Sequence, residues 1–275
     1  MRIIRGKSIG SHIVLCIWLL IVLFPLYVLI TSSFKDRDGV YTNAFGLPEV
    51  WNYSNYIEVF TRGEFLIYFQ NSLIVVLLSL FLLLVFASLA SYSLAKWRGK
   101  ISSVLFFFLI AGMMMPIRIA SIRLIAIVRT LGLVDTIWAL IPIYVAMGIP
   151  IAVFILTEFI RQIPDELCEA ALIDGCSRFN ILRRIVVPLL KPAIATVAIY
   201  NLVPFWNDLW FPLILISSEK SKTLMLGVTR LFGQYQTDWS KVMAVLVLAS
   251  LPVIVLYLIM SRQFIKGMTA GAIKG

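Results

Sequence analysis

RQIPDELCEAALIDGCSRFNILRRIVVPLLKP, residues 161–192, is the least membrane-like segment of a strongly apolar chain. Of the 275 residues, 61% are hydrophobic and only 14% are charged, whereas soluble domains are about half apolar and a quarter charged. So much apolar surface does not fit inside one core, and the excess must face lipid. We therefore interpret residues 161–192 as a loop between membrane spans.

Six apolar stretches flank this loop, four before it and two after it. Each is near the ~20 residues that a helix needs to cross the hydrocarbon layer, and none alternates as a barrel strand does. They cover residues 13–30, 73–95, 101–117, 137–157, 193–216 and 242–260. The sequence predicts an all-α membrane protein with about six transmembrane helices in one domain, residues 1–275.

The positions of lysine and arginine orient these spans. With the N-terminus inside, the inner segments hold more than half of the 24 basic residues. Because basic residues concentrate in cytoplasmic loops, both termini and the loop 161–192 are predicted to be cytoplasmic. The net charge of +10 suits anionic membrane lipid. It does not indicate nucleic acid, because the basic residues are not interleaved with stacking aromatics.

A short helix is predicted inside the loop, over residues 164–175. Pro164 suits its first turn, Asp165 and Glu166 complement its positive end, and Gly175 can end it in a left-handed conformation. A second short helix is predicted after Ser177, which can cap it.

The faces of the first helix leave two interpretations. One face is predicted to be apolar, with two small residues, and comprises Ile163, Leu167, Ala170 and Ala171. An amphipathic helix of this kind can lie on lipid headgroups. However, Glu169 and Asp174 are acidic, and anionic lipid would repel them. Docking into a basic cleft on a soluble partner is the better interpretation.

The loop resembles the EAA motif of ABC importer permeases, commonly written E-A-A-x3-G-x9-I-x-L-P. The matching residues are Glu169, Ala170, Ala171, Gly175, Ile185 and Pro188. Val187 stands where leucine is usual. Residues 131–136 (LGLVDT), 201–215 (NLVPFWNDLWFPLIL) and 262–275 (RQFIKGMTAGAIKG) are also similar to carbohydrate-uptake permeases. Within that family the chain looks like the shorter, six-span subunit of a maltose-type pair.

The resemblance implies a cytoplasmic coupling helix between spans 4 and 5 and a set of partners. The residues that would contact an ATP-binding subunit dimer are Glu169, Ala170, Ala171, Asp174 and Gly175. A second permease subunit would complete a heterodimer in the bacterial inner membrane. An extracytoplasmic binding protein would deliver a sugar or related carbohydrate. ATP would be bound by the partner subunit, so that this permease domain would need no cofactor of its own.

Patterns for catalysis and nucleotide binding are missing from the sequence. Gly6-Lys7-Ser8 looks like the end of a Walker A sequence, but Met1 stands where its first glycine would be. The only histidine is His12, so neither a Ser-His-Asp set nor a zinc set is credible. We therefore expect no enzymatic activity and no metal site.

One carboxylate, Asp208, interrupts the predicted fifth span. On a continuous helix Asn201 and Asp208 share one side, with Asn207 about 100° away from Asp208. An ionisable group inside a span normally faces protein or a water-filled cavity. Either Asn201 and Asp208 line or gate a translocation path, or Asp208 caps or packs against a neighbour. The alternative function is an ion-coupled secondary transporter in which Asp208 carries a proton or counter-ion.

Three arginines follow the third apolar stretch, at positions 118, 123 and 129. Arg118 and Arg129 share a helical face if the helix continues. They would suit an anionic or phosphorylated sugar beside the path. Pairing with Asp135 or Asp208 is the preferred expectation.

Overall fold

The structure is a computed structural model that describes residues 4–61, 64–97, 99–231 and 237–272. For residues 4–8, 260 and 262–272 it describes the backbone alone. The described ranges are helical and contain no strand, which confirms the all-α prediction.

Fourteen α-helices occur in these ranges. They are α1 (Ile4–Ser33), α2 (Arg37–Thr42), α3 (Ser54–Thr61), α4 (Glu64–Lys96), α5 (Lys100–Ala111), α6 (Ser121–Thr130), α7 (Leu140–Ile160), α8 (Asp165–Ile173), α9 (Arg178–Ile181), α10 (Val187–Leu189), α11 (Lys191–Trp206), α12 (Trp210–Leu215), α13 (Leu224–Val228) and α14 (Trp239–Ala272).

Four helical segments are long and apolar enough to cross a membrane in the described part of the chain. They are Ile9–Ser33, Glu64–Lys96, Ile137–Ile160 and Trp239–Ile259. Two bent helix pairs raise the number to six if each pair is one span. None of the most apolar 18 residues of the first segment is buried, so that segment directs its apolar side chains away from the rest of the chain.

Prolines account for the two bends. The apolar stretch 101–117 is helical to Ala111 and tightens into a 3₁₀ turn at Gly112–Met114. Met115 is extended (ψ 124°), because the residue before a proline is pushed out of the helical region. The chain turns by 89° there. The second bend, of 75°, separates Arg178–Leu189 from Lys191–Trp206 and lies between Pro188 and Pro192, neither of which has an amide hydrogen to donate.

The chain forms two compact units, and α4 and α14 pass from one to the other. The first unit comprises Met1–Leu66 and Gly227–Leu251. In it Asn55 is buried and its amide nitrogen donates to the carbonyls of Ser33 and Lys35, at 3.0 Å each. These bonds fasten α3 to the end of α1.

The second unit comprises Ile67–Leu226 and Pro252–Gly275. In its core α4, α7 and α11 meet at Gly148. A Cβ atom added to Gly148 of α7 would lie 2.5 Å from a methyl group of Leu83 and 2.9 Å from Oδ1 of Asn201. A side chain at position 148 would therefore require Leu83 and Asn201 to move. All the candidate site residues lie in this second unit.

Candidate functional site

The predicted loop helix is α8, and acidic side chains stabilise its first turn. Pro164 is extended (φ −53°, ψ 133°) and lies one position before the helix rather than in its first turn. Asp165 and Glu166 occupy the first turn, where they complement the helix dipole. Nζ of Lys96, at the end of α4, lies 2.6 Å from Oδ1 of Asp165. This ion pair connects α8 to a membrane-spanning helix.

Gly175 ends α8 in the left-handed conformation, with φ of +79°, as the sequence predicts. The Gly175 amide donates to the carbonyl of Leu172 at 3.0 Å, and the Cys176 amide donates to that of Ala171 at 2.9 Å. Together these two bonds form a Schellman motif, which fixes the direction in which the chain leaves the helix.

A second short helix follows at once, as predicted. Ser177 is its N-cap, and Oγ of Ser177 accepts the amide of Asn180 at 3.3 Å. A π-helical turn, Leu182–Val186, then carries the chain on, with the Val187 amide bonded to the carbonyl of Leu182. The segment is thus a fixed sequence of capped turns.

The side chains of α8 divide between an inner and an outer face. Cys168 and Ala171 are buried, whereas Glu166, Glu169, Ala170 and Ile173 are exposed on the opposite side. Ile173 is 86% exposed. The predicted common apolar face is therefore wrong. Ala171 packs inward and Ala170 faces out with Leu167, because the positions 168 and 171 form the stripe that the fold buries.

This outer face combines carboxylates, a small residue and a large apolar one. The side-chain carboxylates of Glu166, Glu169 and Asp174 make no hydrogen bond or ion pair to another residue in the described ranges. Their charges are therefore available to an external basic group. Ala170 allows close approach beside them, and Ile173 offers apolar surface.

The predicted fifth span is not one helix. α11 ends at Trp206 and α12 begins at Trp210. Oδ1 of Asp208 accepts the Trp210 amide at 3.2 Å, and Oδ2 accepts the Phe211 amide at 3.3 Å. An aspartate side chain that bonds to nearby amides competes with helix formation. The shared side predicted for Asn201 and Asp208 is consequently wrong, since it assumed a continuous helix.

A buried tyrosine completes the environment of Asp208. The Tyr144 hydroxyl donates to Oδ2 of Asp208 at 2.8 Å. The Tyr144 ring is 1% exposed and stacks on Phe205, with centroids 5.0 Å apart and planes 14° from parallel. These contacts agree with the capping interpretation of Asp208. No sequence motif connects Tyr144 with Asp208, although a tyrosine in an apolar run usually requires a hydrogen-bond partner when buried.

The other predicted path residues lie in different surroundings. Asn201 is 4% exposed, and its amide nitrogen donates to the Val197 carbonyl at 2.8 Å. Asn207 is exposed at the break. Arg118 is exposed and its guanidinium lies 5.6 Å from the centroid of the Trp210 ring. Asn207 and Arg118 therefore flank the break, while Asn201 belongs to the core.

The expected pairing of the arginines with Asp135 or Asp208 is wrong. In the residues that the structure covers, no ion pair joins Arg118, Arg123 or Arg129 to a carboxylate. Asp208 is bonded as described above. Oδ1 of Asp135 instead accepts the amides of Ser217 and Ser218, at 2.7 Å each.

Asp135 closes a loop beyond the membrane spans. The backbone amides of Ser218 and Ser217 lower the pKa of Asp135 below its usual value. Asp135 itself has φ of 64°, a left-handed conformation that aspartate tolerates better than most residues. The Asp135 amide also donates to the carbonyl of Leu215 at 2.9 Å, so α12 is anchored at its end as well as at its start.

No group of three His, Cys, Asp or Glu side chains that could hold a metal ion occurs in the described ranges. The structure instead has two polar segments between apolar helices. The carboxylates of α8 are free, whereas the carboxylate of Asp208 is hydrogen-bonded within the chain.

Comparison with known proteins shows which family the chain resembles. The family model described as "binding-protein-dependent transport system inner membrane component" matches residues 84–270. The chain is 39% identical over 279 residues to the putative ABC transporter permease protein ORF2 of Caldicellulosiruptor sp. (strain Rt8B.4), covering 100% of both chains. It is 36% identical over 252 residues to the melibiose/raffinose/stachyose import permease protein MelC of Bacillus subtilis (strain 168), covering 91% of each.

A solved structure shows the same fold. A chain of the crystal structure of a bacterial ABC transporter involved in the import of the acidic polysaccharide alginate matches with a TM-score of 0.82 at 22% identity. The match covers 96% of this chain and 98% of that one. The chain therefore has the fold of that transporter chain.

Proposed function

Because this chain belongs to the family of binding-protein-dependent transport system inner membrane components, we propose that it is the permease subunit of a bacterial ATP-driven importer for a sugar or related carbohydrate. The observation that carries the proposal is the outer face of α8. Its carboxylates have no described partner within the chain, and Ile173 is almost fully exposed. A large exposed apolar side chain beside free charges suits a protein partner.

In the proposed assembly, α8 docks into a cleft of a separate ATP-binding subunit. Glu169 meets a basic residue there, Ala170 permits close contact, and Asp174 and Gly175 shape the turn that holds the helix at its angle. Ala171 supports the helix from inside. The ATPase subunit binds and hydrolyses ATP, and this chain catalyses no reaction and holds no cofactor.

The remaining partners and the orientation belong to the same proposal. A second permease subunit forms a heterodimer with this chain, and an extracytoplasmic binding protein delivers the substrate. Both termini and α8 lie in the cytoplasm, as the distribution of basic residues favours. A sugar is proposed because a relative that is 36% identical is an import permease for melibiose, raffinose and stachyose.

We place the translocation path beside the break between α11 and α12. Asn207 and Arg118 are exposed there and are proposed to face the substrate. Asn201 and Asp208 are proposed to stabilise the conformation of this segment. Asn201 does so by packing against Gly148, and Asp208 does so by capping α12. When α8 is moved by the ATPase, the unwound residues between the two helices can absorb the change in direction.

The docking role is tested by Glu169→Gln, which removes the charge and preserves the size of the side chain. Loss of one charge-assisted hydrogen bond should weaken binding of the ATP-binding subunit about tenfold. The measurement is the amount of ATP-binding subunit that co-purifies with the tagged chain, together with ATP-driven uptake.

The matched control is Glu49→Gln, which removes an exposed carboxylate from the loop between α2 and α3. This control should leave co-purification and uptake unchanged. Equal retention of the ATPase by both variants would contradict docking through Glu169. The substrate class is measured separately with labelled sugars and amino acids, and transport of an amino acid but of no sugar would contradict the sugar assignment.

The alternative, a secondary transporter with Asp208 as proton carrier, is not favoured. Three donors within the chain already occupy the Asp208 carboxylate. Uptake that survives without any ATPase and collapses with the proton gradient is the result that would restore this alternative.

A further inference from the structure

A cavity of about 730 Å³ opens where α4 ends, α5 begins and α7 ends. Its lining includes Lys96, Trp97, Lys100, Ser103, Val104 and Arg161. All of these belong to the same compact unit. The helix ends place the cavity at the boundary between the hydrocarbon layer and the side on which α8 lies.

Three cations line this cavity against one carboxylate, that of Asp165. Lys96 is held by its ion pair with Asp165 at 2.6 Å. The Arg161 guanidinium lies 4.7 Å from the centroid of the Phe106 ring, and one of its nitrogens is 2.7 Å from Oε1 of Glu158. These contacts fix two of the cations in place.

Lys100 differs from the other two cations. It is exposed, and its ammonium group makes no hydrogen bond or ion pair to another residue of the described ranges. It is also the first residue of α5, whose N-cap, Gly99, provides no side-chain hydrogen bond. The uncapped amides add to the positive potential of Lys100, so the cavity has an unneutralised cationic wall.

An apolar stripe leads away from the cavity along α5. Ile101, Val104 and Phe108 are 61%, 66% and 72% exposed, and their spacing of three and four residues puts them on one face. Val104 also lines the cavity. Trp97 is 59% exposed at the mouth, in the position that tryptophan favours at membrane–water interfaces.

We propose that this cavity binds the phosphate-bearing headgroup of an anionic phospholipid, whose acyl chains lie along α5. Basic pockets between transmembrane helices recognise such headgroups on the cytoplasmic side. A free phosphate ion shares the headgroup chemistry but would make no use of the stripe of Ile101, Val104 and Phe108. The site does not depend on the transported substrate. It borders Asp165, so the bound lipid touches the base of α8.

The test is native mass spectrometry of the full chain with phosphatidylglycerol and phosphatidylcholine of identical acyl chains. We expect phosphatidylglycerol to bind more tightly. Lys100→Gln should weaken phosphatidylglycerol about fivefold, the effect of one basic residue near a membrane surface, with no change for phosphatidylcholine. Millimolar inorganic phosphate should not displace the lipid.

The matched control is Lys191→Gln, at the exposed start of α11, which does not line the cavity. It should leave both affinities unchanged. Equal binding of the two lipids, or equal weakening by both lysine variants, would overturn the proposal, as would displacement by phosphate. Ser103→Phe fills the cavity without changing charge and gives a second measurement, which should reduce phosphatidylglycerol binding as well.

Discussion

The segment 161–189 and the segment 201–218 are both polar interruptions of helical structure, but they use their carboxylates in opposite ways. In the first, Glu166 and Glu169 face outward from α8 without a described partner. In the second, Asp208 accepts two backbone amides and a tyrosine hydroxyl. The first segment keeps its charges for another molecule, whereas the second uses its charge to hold its own shape.

The contrast shows that the position of a carboxylate in the sequence does not by itself indicate its role. A lone carboxylate in an apolar span attracts a functional interpretation, yet its surroundings satisfy it completely. Carboxylates on a surface helix look ordinary, yet these have nothing in the chain to bind. An exposed carboxylate without a donor in the chain remains free to bind a partner, whereas a carboxylate with several donors in the chain has a structural role.

The largest effect on stability is expected at Asp208. Asp208→Ala leaves the Tyr144 hydroxyl and two amides without an acceptor, which should lower the free energy of unfolding by about 3 kcal/mol. Asp208→Asn should have a much smaller effect, because asparagine also caps helices well. Thermal unfolding of the full chain in detergent measures both.

Glu169→Ala is the matched change in the other segment and should leave thermal unfolding unaltered. If Asp208→Asn abolishes uptake at unchanged stability, then the charge of Asp208 acts on the transported species, and the contrast between the segments fails.

The next effect is expected at Gly175. Gly175→Ala has no steric neighbour, since nothing lies within 4 Å of the added carbon. The left-handed conformation alone should lower stability by about 1–2 kcal/mol. Fraying of the end of α8 should also reduce co-purification of the ATP-binding subunit. Gly175→Asn is the control at the same position, and it should lose less because asparagine adopts this conformation more readily. A larger loss for Gly175→Asn than for Gly175→Ala would show that side-chain volume, not backbone conformation, governs the turn.

The smallest effect is expected from titration of Asp135. Its pKa is lowered in the folded chain, so its contribution to stability is present above the pKa of the unfolded chain, about 3.9. That contribution is lost as pH falls through the lower, folded pKa. Lowering the pH from 7 to 3 should therefore lower the melting temperature more for the native chain than for Asp135→Asn. Identical pH profiles would mean that the loop does not depend on this charge.

The sequence alone was sufficient for the parts that follow local rules. Gly175 and Ser177 could be predicted as helix signals because left-handed glycines and serine caps act over a few residues. The all-α class followed from the length of the apolar stretches and their lack of strand-like alternation. The EAA pattern located α8 because the spacing of its defined positions is specific.

Features that depend on contacts between distant residues could not be predicted. The partner of Asp208 is Tyr144, which is 64 residues away, and no local pattern connects them. The direction of Ala170 and Ala171 depends on which stripe of α8 the rest of the unit covers. Gly148 resembles any glycine in a span until Leu83 and Asn201 are placed against it.

The π-helical turn at Leu182–Val186 gives the spacing of the loop a further meaning. Nine residues separate Gly175 from Ile185, and the turn accommodates one residue more than an α-helical turn does. Each residue of an α-helix rotates the chain by about 100°. Deleting one residue here would therefore leave the length of the loop almost unchanged but would rotate α8 about the axis of the helical segment Arg178–Leu189. The number of residues in the loop therefore determines the orientation of α8 and the direction in which Glu169 points.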